Sequence, residues 1–169
     1  MTLRRLRPGD LAAFQAYRHD PEVGRWQGWQ PQTDAQVLAF LDEMAACPLF
    51  APGTWTQLAI ADDLTGQLIG DIGIHISADG AEAEFGFTLA RAAQGRGLAS
   101  AAVRAAMHLV FEETAVQRIQ AQTDARNAAC LRLLERLGAM RLATIETEFR
   151  GEPCTEVRYE LAHRPPPSA

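Results

Sequence analysis

Lysine is absent from the 169 residues, and all sixteen basic side chains are arginines. No function follows from that bias by itself. Cysteine is scarce: Cys47, Cys130 and Cys154 are odd in number and widely spaced, which suits neither a disulfide framework nor a zinc site. Free thiols and no metal are expected, and the histidines at 19, 75, 108 and 163 show no metal-ligand spacing. No run approaches the roughly 18 apolar residues of a membrane span, and Met1 to Arg7 lacks the apolar stretch of a secretory signal. A cytoplasmic protein with no membrane partner is expected. Excess positive charge is also missing: the net charge is −5 and the arginines are scattered, so the footprint of phosphate-backbone binding is absent and nucleic acid is not an expected partner.

What is present is an ordinary globular composition, 47% hydrophobic and 22% charged. A chain of this length buries roughly 70% of its unfolded surface in one domain. One domain over 1–163 is expected, followed by a disordered tail at 164–169. Thr2 to Arg7 alternates like a strand, and Pro8-Gly9-Asp10 leads into a helix from Leu11. After an irregular, aromatic stretch with Trp26 and Trp29, Thr33 or Asp34 caps a second helix that ends before Pro48. Three strands with period two follow, Trp55 to Ala61, Gln67 to Ser77 and Ala81 to Leu89. On the third, Phe85, Phe87 and Leu89 share one face, and Glu82, Glu84 and Thr88 the other.

Leu98 to Thr114 reads as a helix with Ser100, Arg104, His108 and Glu112 as its solvated stripe. A strand over Arg118 to Thr123, a helix that stops at Gly138, and strands near Met140 to Phe149 and Pro153 to Leu161 complete the order βααβββαβαββ. The fold class is α+β, with a mixed, mostly antiparallel central sheet flanked by helices.

Gln94-Gly95-Arg96-Gly97-Leu98-Ala99 lies between an apolar strand and a long helix, where backbone N–H groups meet the positive end of a helix dipole. Glycine at 95 and 97 lets a pyrophosphate approach the backbone closely. The segment also begins like a dinucleotide-binding G-x-G-x-x-G turn, but Ser100 breaks the pattern, and a three-strand meander cannot be the first half of a doubly wound sheet. A plain glycine turn that starts a helix is the other reading.

Gln94, Gly97 and Ala99 fit the signature Q/R-x-x-G-x-G/A, and with it the sequence resembles the GNAT acetyltransferases. The resemblance extends to the RimJ/RimL type from about Leu3 to Leu161, through Asp20-Pro21-Glu22-Val23, Gly66-Gln67-Leu68-Ile69-Gly70-Asp71, Glu84-Phe85-Gly86-Phe87, Asn127-Ala128-Ala129-Cys130, Leu137-Gly138-Ala139 and Gly151-Glu152. It implies a GNAT domain that moves an acetyl group from acetyl-CoA to a primary amine, either a protein N-terminus or a small molecule, by direct attack in a ternary complex. It also implies a homodimer. A non-catalytic CoA-binding sensor and a longer acyl donor are the alternatives.

By position the resemblance gives the cofactor site as Phe87, Thr88, Leu89, Gln94, Gly95, Arg96, Gly97, Leu98, Ala99 and Asn127. Asn127 equally suits an ordinary helix cap. The chemistry needs a free amine, so a base that takes the ammonium proton is required; Glu84 is the candidate and Glu82, on the same face, the reserve. Cys130 stands where the RimL pattern has serine, as an acid for the departing thiolate or as a small core residue. Trp26, Trp29, Glu82 and the turn from Phe149 to Glu152 are expected to border the acceptor.

Overall fold

The computed structural model describes residues 1–162; the tail expected at 164–169 lies outside the described residues. Seven strands form one sheet: β1 (Thr2–Arg5), β2 (Trp55–Ala61), β3 (Leu68–Ile76), β4 (Glu82–Leu89), β5 (Arg118–Asp124), β6 (Met140–Phe149) and β7 (Glu152–Ala162). Their spatial order is β1-β2-β3-β4-β5-β7-β6, with only β4 and β5 parallel. That pair requires a crossover, which α4 (Leu98–Glu113) supplies. The remaining helices are α1 (Leu11–Arg18), α2 (Pro21–Gly24), α3 (Asp34–Ala46) and α5 (Ala128–Arg136).

The two faces of the sheet are covered unequally. Ile72, Ile74, Ile76, Phe85 and Ile119 meet Val103, Ala106 and Val110 of α4 and Leu133 and Leu134 of α5 in the largest core cluster. Burying an isoleucine fully is worth roughly 1.5–3 kcal/mol, so this face holds the sheet together. On the opposite face Phe14, Tyr17, Val37 and Leu41 of α1 and α3 pack with Leu6, Ala59 and Leu68. The same face of β4 and β5 keeps Glu84, Gly86 and Gln122 partly or fully exposed.

Three details differ from the sequence reading. The stretch after α1 is not wholly irregular: Asp20 accepts a hydrogen bond from the Glu22 N–H and caps the short helix α2, with Pro21 at its first position. Ser100 is buried rather than solvated, because the first turn of α4 sits against the sheet. Thr88 is likewise buried, opposite Asp71 on β3, so the polar face of β4 is open only at its Glu82–Gly86 end.

Candidate active site

The site begins where two strands part. β4 and β5 pair over three positions, ending at Glu84 opposite Gln120. β4 then continues on β3 as far as Leu89, and β5 on β7 as far as Asp124. Beyond Glu84 the two neighbours follow different partners, and the sheet forks. The Phe87 carbonyl accepts from Gln27 Nε2 at 3.2 Å, and the Leu89 carbonyl from Gln94 Nε2 at 3.0 Å. Backbone groups at 87 and 89 thus face away from β3 and into the fork, while the side chain of Leu89 is buried and Phe87 is half-buried.

At the wide end of the fork lies the glycine loop. Gly95 and Gly97 have φ of 73° and 78°, a region that side chains with a Cβ disfavour. Gly97 is the N-cap of α4 and offers no side chain to cap it, and the helix bonds begin with the Ala101 N–H to the Gly97 carbonyl. The N–H groups of Leu98, Ala99 and Ser100 therefore make up the uncapped first turn, with Gln94 and Arg96 exposed beside it.

Glu84 stands on the last rung before the fork, in a cleft of about 220 Å³ shared with Gln120, Gln122 and Arg158. Gln122 Nε2 donates to it at a long 3.4 Å. Among the described residues no cation lies within ion-pair distance of it. Glu82 differs: one of its oxygens accepts from Arg118 at 2.6 Å and the other from Gln120 at 2.9 Å. Both oxygens are engaged, which leaves Glu82 poorly placed to take a proton or an amine.

Across the fork, Asn127 caps α5, its Oδ1 accepting from the Cys130 N–H at 3.2 Å. Cys130 packs against the large core cluster. Burial pushes its thiol above the usual range, and a hydrogen bond with Thr123 offsets this only in part.

The expected aromatic border separates into two places. Trp26 lies between Arg25 and Arg126, 4.7 and 5.6 Å from its ring centroid, which links its loop to the start of α5. Trp29 turns the other way, against Arg18 at 4.4 Å in a cleft between α1 and α3. The turn between β6 and β7 does reach this loop: Arg150 donates to the carbonyls of Gln27 and Trp29 at 2.8 and 2.9 Å. Arg91, just past β4, pairs with Asp20 at 2.5 Å and fixes the loop's other end. Gln27, Arg126 and the Gln122–Arg158 pair were not found from the sequence, because isolated polar residues in loops or on strands carry no local signal of the partner they meet.

No group of three or more His, Cys, Asp or Glu side chains among the described residues is placed to hold a metal ion. No helix among them is long and apolar enough to cross a membrane.

Comparison with known proteins identifies the architecture. The sequence profile of the acetyltransferase (GNAT) domain matches residues 1–140. The uncharacterized N-acetyltransferase p20 of Bacillus licheniformis is 29% identical over 138 residues, 81% of this chain and 77% of that one. Among solved structures, a GNAT-family acetyltransferase from Bacillus anthracis superposes with a TM-score of 0.81 at 20% identity, covering 95% of this chain and 93% of the other. The spermidine N-acetyltransferase of Vibrio cholerae, solved with CoA and spermine, gives 0.80 at 19%, covering 95% and 94%. Acetyltransferases of this fold use acetyl-CoA, and one of these neighbours was solved with CoA bound. The chain belongs to the GNAT acetyltransferase family.

Proposed function

We propose that the protein transfers an acetyl group from acetyl-CoA to a primary amine by direct attack in a ternary complex. The observation that carries this reading is the position of Glu84: an unpaired carboxylate on the last rung before the fork, in a cleft open to solvent. The loop Gln94–Ala99 receives the pyrophosphate on the N–H groups of the first turn of α4. The pantetheine arm lies along β4 and pairs with the backbone at Phe87 and Leu89, where the amides of Gln27 and Gln94 now bond; Thr88 lies between them and Asn127 across the fork. The thioester then ends near Glu84. Glu84 takes one ammonium proton, the free amine attacks the carbonyl carbon, and the C–S bond breaks as the nitrogen gives its second proton to the departing CoA thiolate. Cys130 keeps its proton at neutral pH and has one to give the thiolate, but its raised pKa makes it a weak donor.

Three parts of the reading rest on resemblance and composition rather than on the site: a RimJ/RimL-type enzyme, a cytoplasmic setting and a homodimer. In support of the last, the edge strand β6 is largely exposed, with Met140 58% and Leu142 47% accessible. Sedimentation that gives only the 18.5 kDa species at micromolar concentration would refute the dimer.

The experiment that tests the function measures CoA thiol release with acetyl-CoA and a panel of amines. Acetyl-CoA alone should raise the melting midpoint and NADH should not, because only a ligand of the native state shifts it. No thiol release with any primary amine would leave a binding protein rather than an enzyme.

A further inference from the structure

The cleft between α1 and α3 holds a buried charge network with two hydrogen-bond donors left over. Arg18 is 9% exposed and is stacked between the rings of Phe14, at 4.5 Å, and Trp29, at 4.4 Å. Its Nη2 donates to Asp71 at 2.6 Å, and Asp71 also accepts from the Tyr17 hydroxyl and from Gln57 Nε2. The guanidinium charge is therefore already neutralised. Yet Arg18 Nε and Trp29 Nε1 are buried and have no partner among the described residues, and neither has the side-chain amide oxygen Oε1 of Gln15. All three residues line a cleft of about 380 Å³ whose remaining wall includes Val37 and Phe40.

Buried donors without acceptors are uncommon, because each forfeits its hydration. Two N–H groups and one carbonyl oxygen in a neutral, aromatic cleft complement a ligand that has one carbonyl, one N–H and an apolar group. A carboxylate would bring a charge that nothing here compensates. A bare polyamine would bring donors to donors.

One row of the sheet runs from the floor of this cleft to the fork. Gln57, on the cleft floor, pairs with Gly73, which pairs with Gly86 on β4. The two middle strands contribute only glycines to this row, and the Trp55 ring leans over it at Gly73. Gly86 faces open space, and a Cβ at Gly73 would meet the Trp55 ring at 3.3 Å and Gln57 Oε1 at 3.5 Å. Glu84 flanks the row, in line with His75 and Trp55. From Gln57 to Gly86 is two strand spacings, about 10 Å, the length of roughly three extended residues.

We propose that the Arg18–Trp29 cleft is an acceptor subsite that takes a neutral amide with an adjoining apolar group, carried about 10 Å from the amine that reaches Glu84. The amide oxygen accepts from Arg18 Nε and Trp29 Nε1, its N–H donates to Gln15, and the apolar group rests on Phe40 and Val37. The proposal rests on the acetyltransferase reading for the amine's position, but not for the binding of the amide.

The test uses the full chain labelled with nitrogen-15 and three primary amines: the tripeptide Ala-Ala-Phe-amide, N-(6-aminohexyl)benzamide, and 6-phenylhexylamine, which lacks the amide. Trp29→Phe assigns the Trp29 indole resonance by its loss and keeps an aromatic ring on Arg18. The Trp29 indole proton should move downfield with both amides and stay in place with 6-phenylhexylamine; movement with the tripeptide alone identifies a peptide as the source of the amide. In turnover, kcat/KM should favour the amides about tenfold, and Trp29→Phe should abolish that preference. An indole resonance that stays in place with all three, or moves equally with all three, overturns the subsite. An indole shift without acetylation of any amine supports the subsite and removes the enzymatic reading instead.

Discussion

The two halves of β4 meet different things along their outer edge. Over Glu82–Glu84 that edge is sealed by β5, and Glu82 is held by Arg118 and Gln120. Over Gly86–Leu89 the neighbouring strand has turned away, and two side-chain amides bond to the carbonyls at 87 and 89. Both halves lean on β3 with unbroken register. One strand thus provides a fixed anchor and an unpaired backbone, and Glu84 sits at the boundary, where a carboxylate is rigid but not neutralised.

The largest effect should come from breaking that boundary. Glu84→Gln keeps the shape and removes the charge, and should lower turnover about 10²–10⁴-fold with acetyl-CoA affinity unchanged. Raising the pH should partly restore the rate, since solution then deprotonates the amine. The same change at Glu82 should cost far less turnover, because its carboxylate is already engaged. Equal losses at both positions would erase the distinction between them.

Next in size is the open half. Gly97→Val places a branched side chain at φ 78° in the uncapped first turn of α4. It should abolish acetyl-CoA binding by calorimetry and lower the melting midpoint by about 4–8 °C, since a strain of about 2 kcal/mol acts on a domain of this size. Unchanged affinity in a folded variant would make the loop merely structural.

The support shared by both halves is tested at Gly70, where a Cβ would lie 2.3 Å from the Thr88 carbonyl oxygen. That atom is backbone held in the sheet and cannot swing aside, so Gly70→Ala should destabilise the fold by about 3 kcal/mol in denaturant titration. A near-neutral result would show that β3 and β4 can separate without loss.

The smallest effect is expected at Cys130. Cys130→Ala should cost turnover less than Glu84→Gln, and Cys130→Ser should recover much of it. Because burial holds the thiol protonated, alkylation by iodoacetamide should rise only at a pH above that of an ordinary cysteine. Fast alkylation at neutral pH would contradict the burial.

The order of strands, the glycine loop and the acidic face of β4 were legible in the sequence because each has a local signature: period two, paired glycines before an apolar helix, alternation. The fork has no such signature, since nothing in Glu82–Leu89 or Arg118–Asp124 states where pairing stops. Ser100 was misplaced because a helix wheel ranks side chains by polarity, whereas the tight approach of a first turn to the sheet favours a small one. Arg18 carries no signature either; its acidic partner is 53 positions away on β3, and only the fold brings them together.

The ion pairs that fix the loops around the site, Arg91 with Asp20 and Arg126 with Asp124, are both made by guanidinium groups. An ammonium in those places would begin to lose its proton near pH 10, whereas a guanidinium keeps it beyond about pH 12. Tyr17 and Tyr159 also have hydroxyls pushed upward, mainly by burial. The alkaline range in which free amines become nucleophilic is therefore one in which these clamps stay charged. A rate profile carried to pH 10 follows the acceptor's own ionisation without unfastening the loops that hold it.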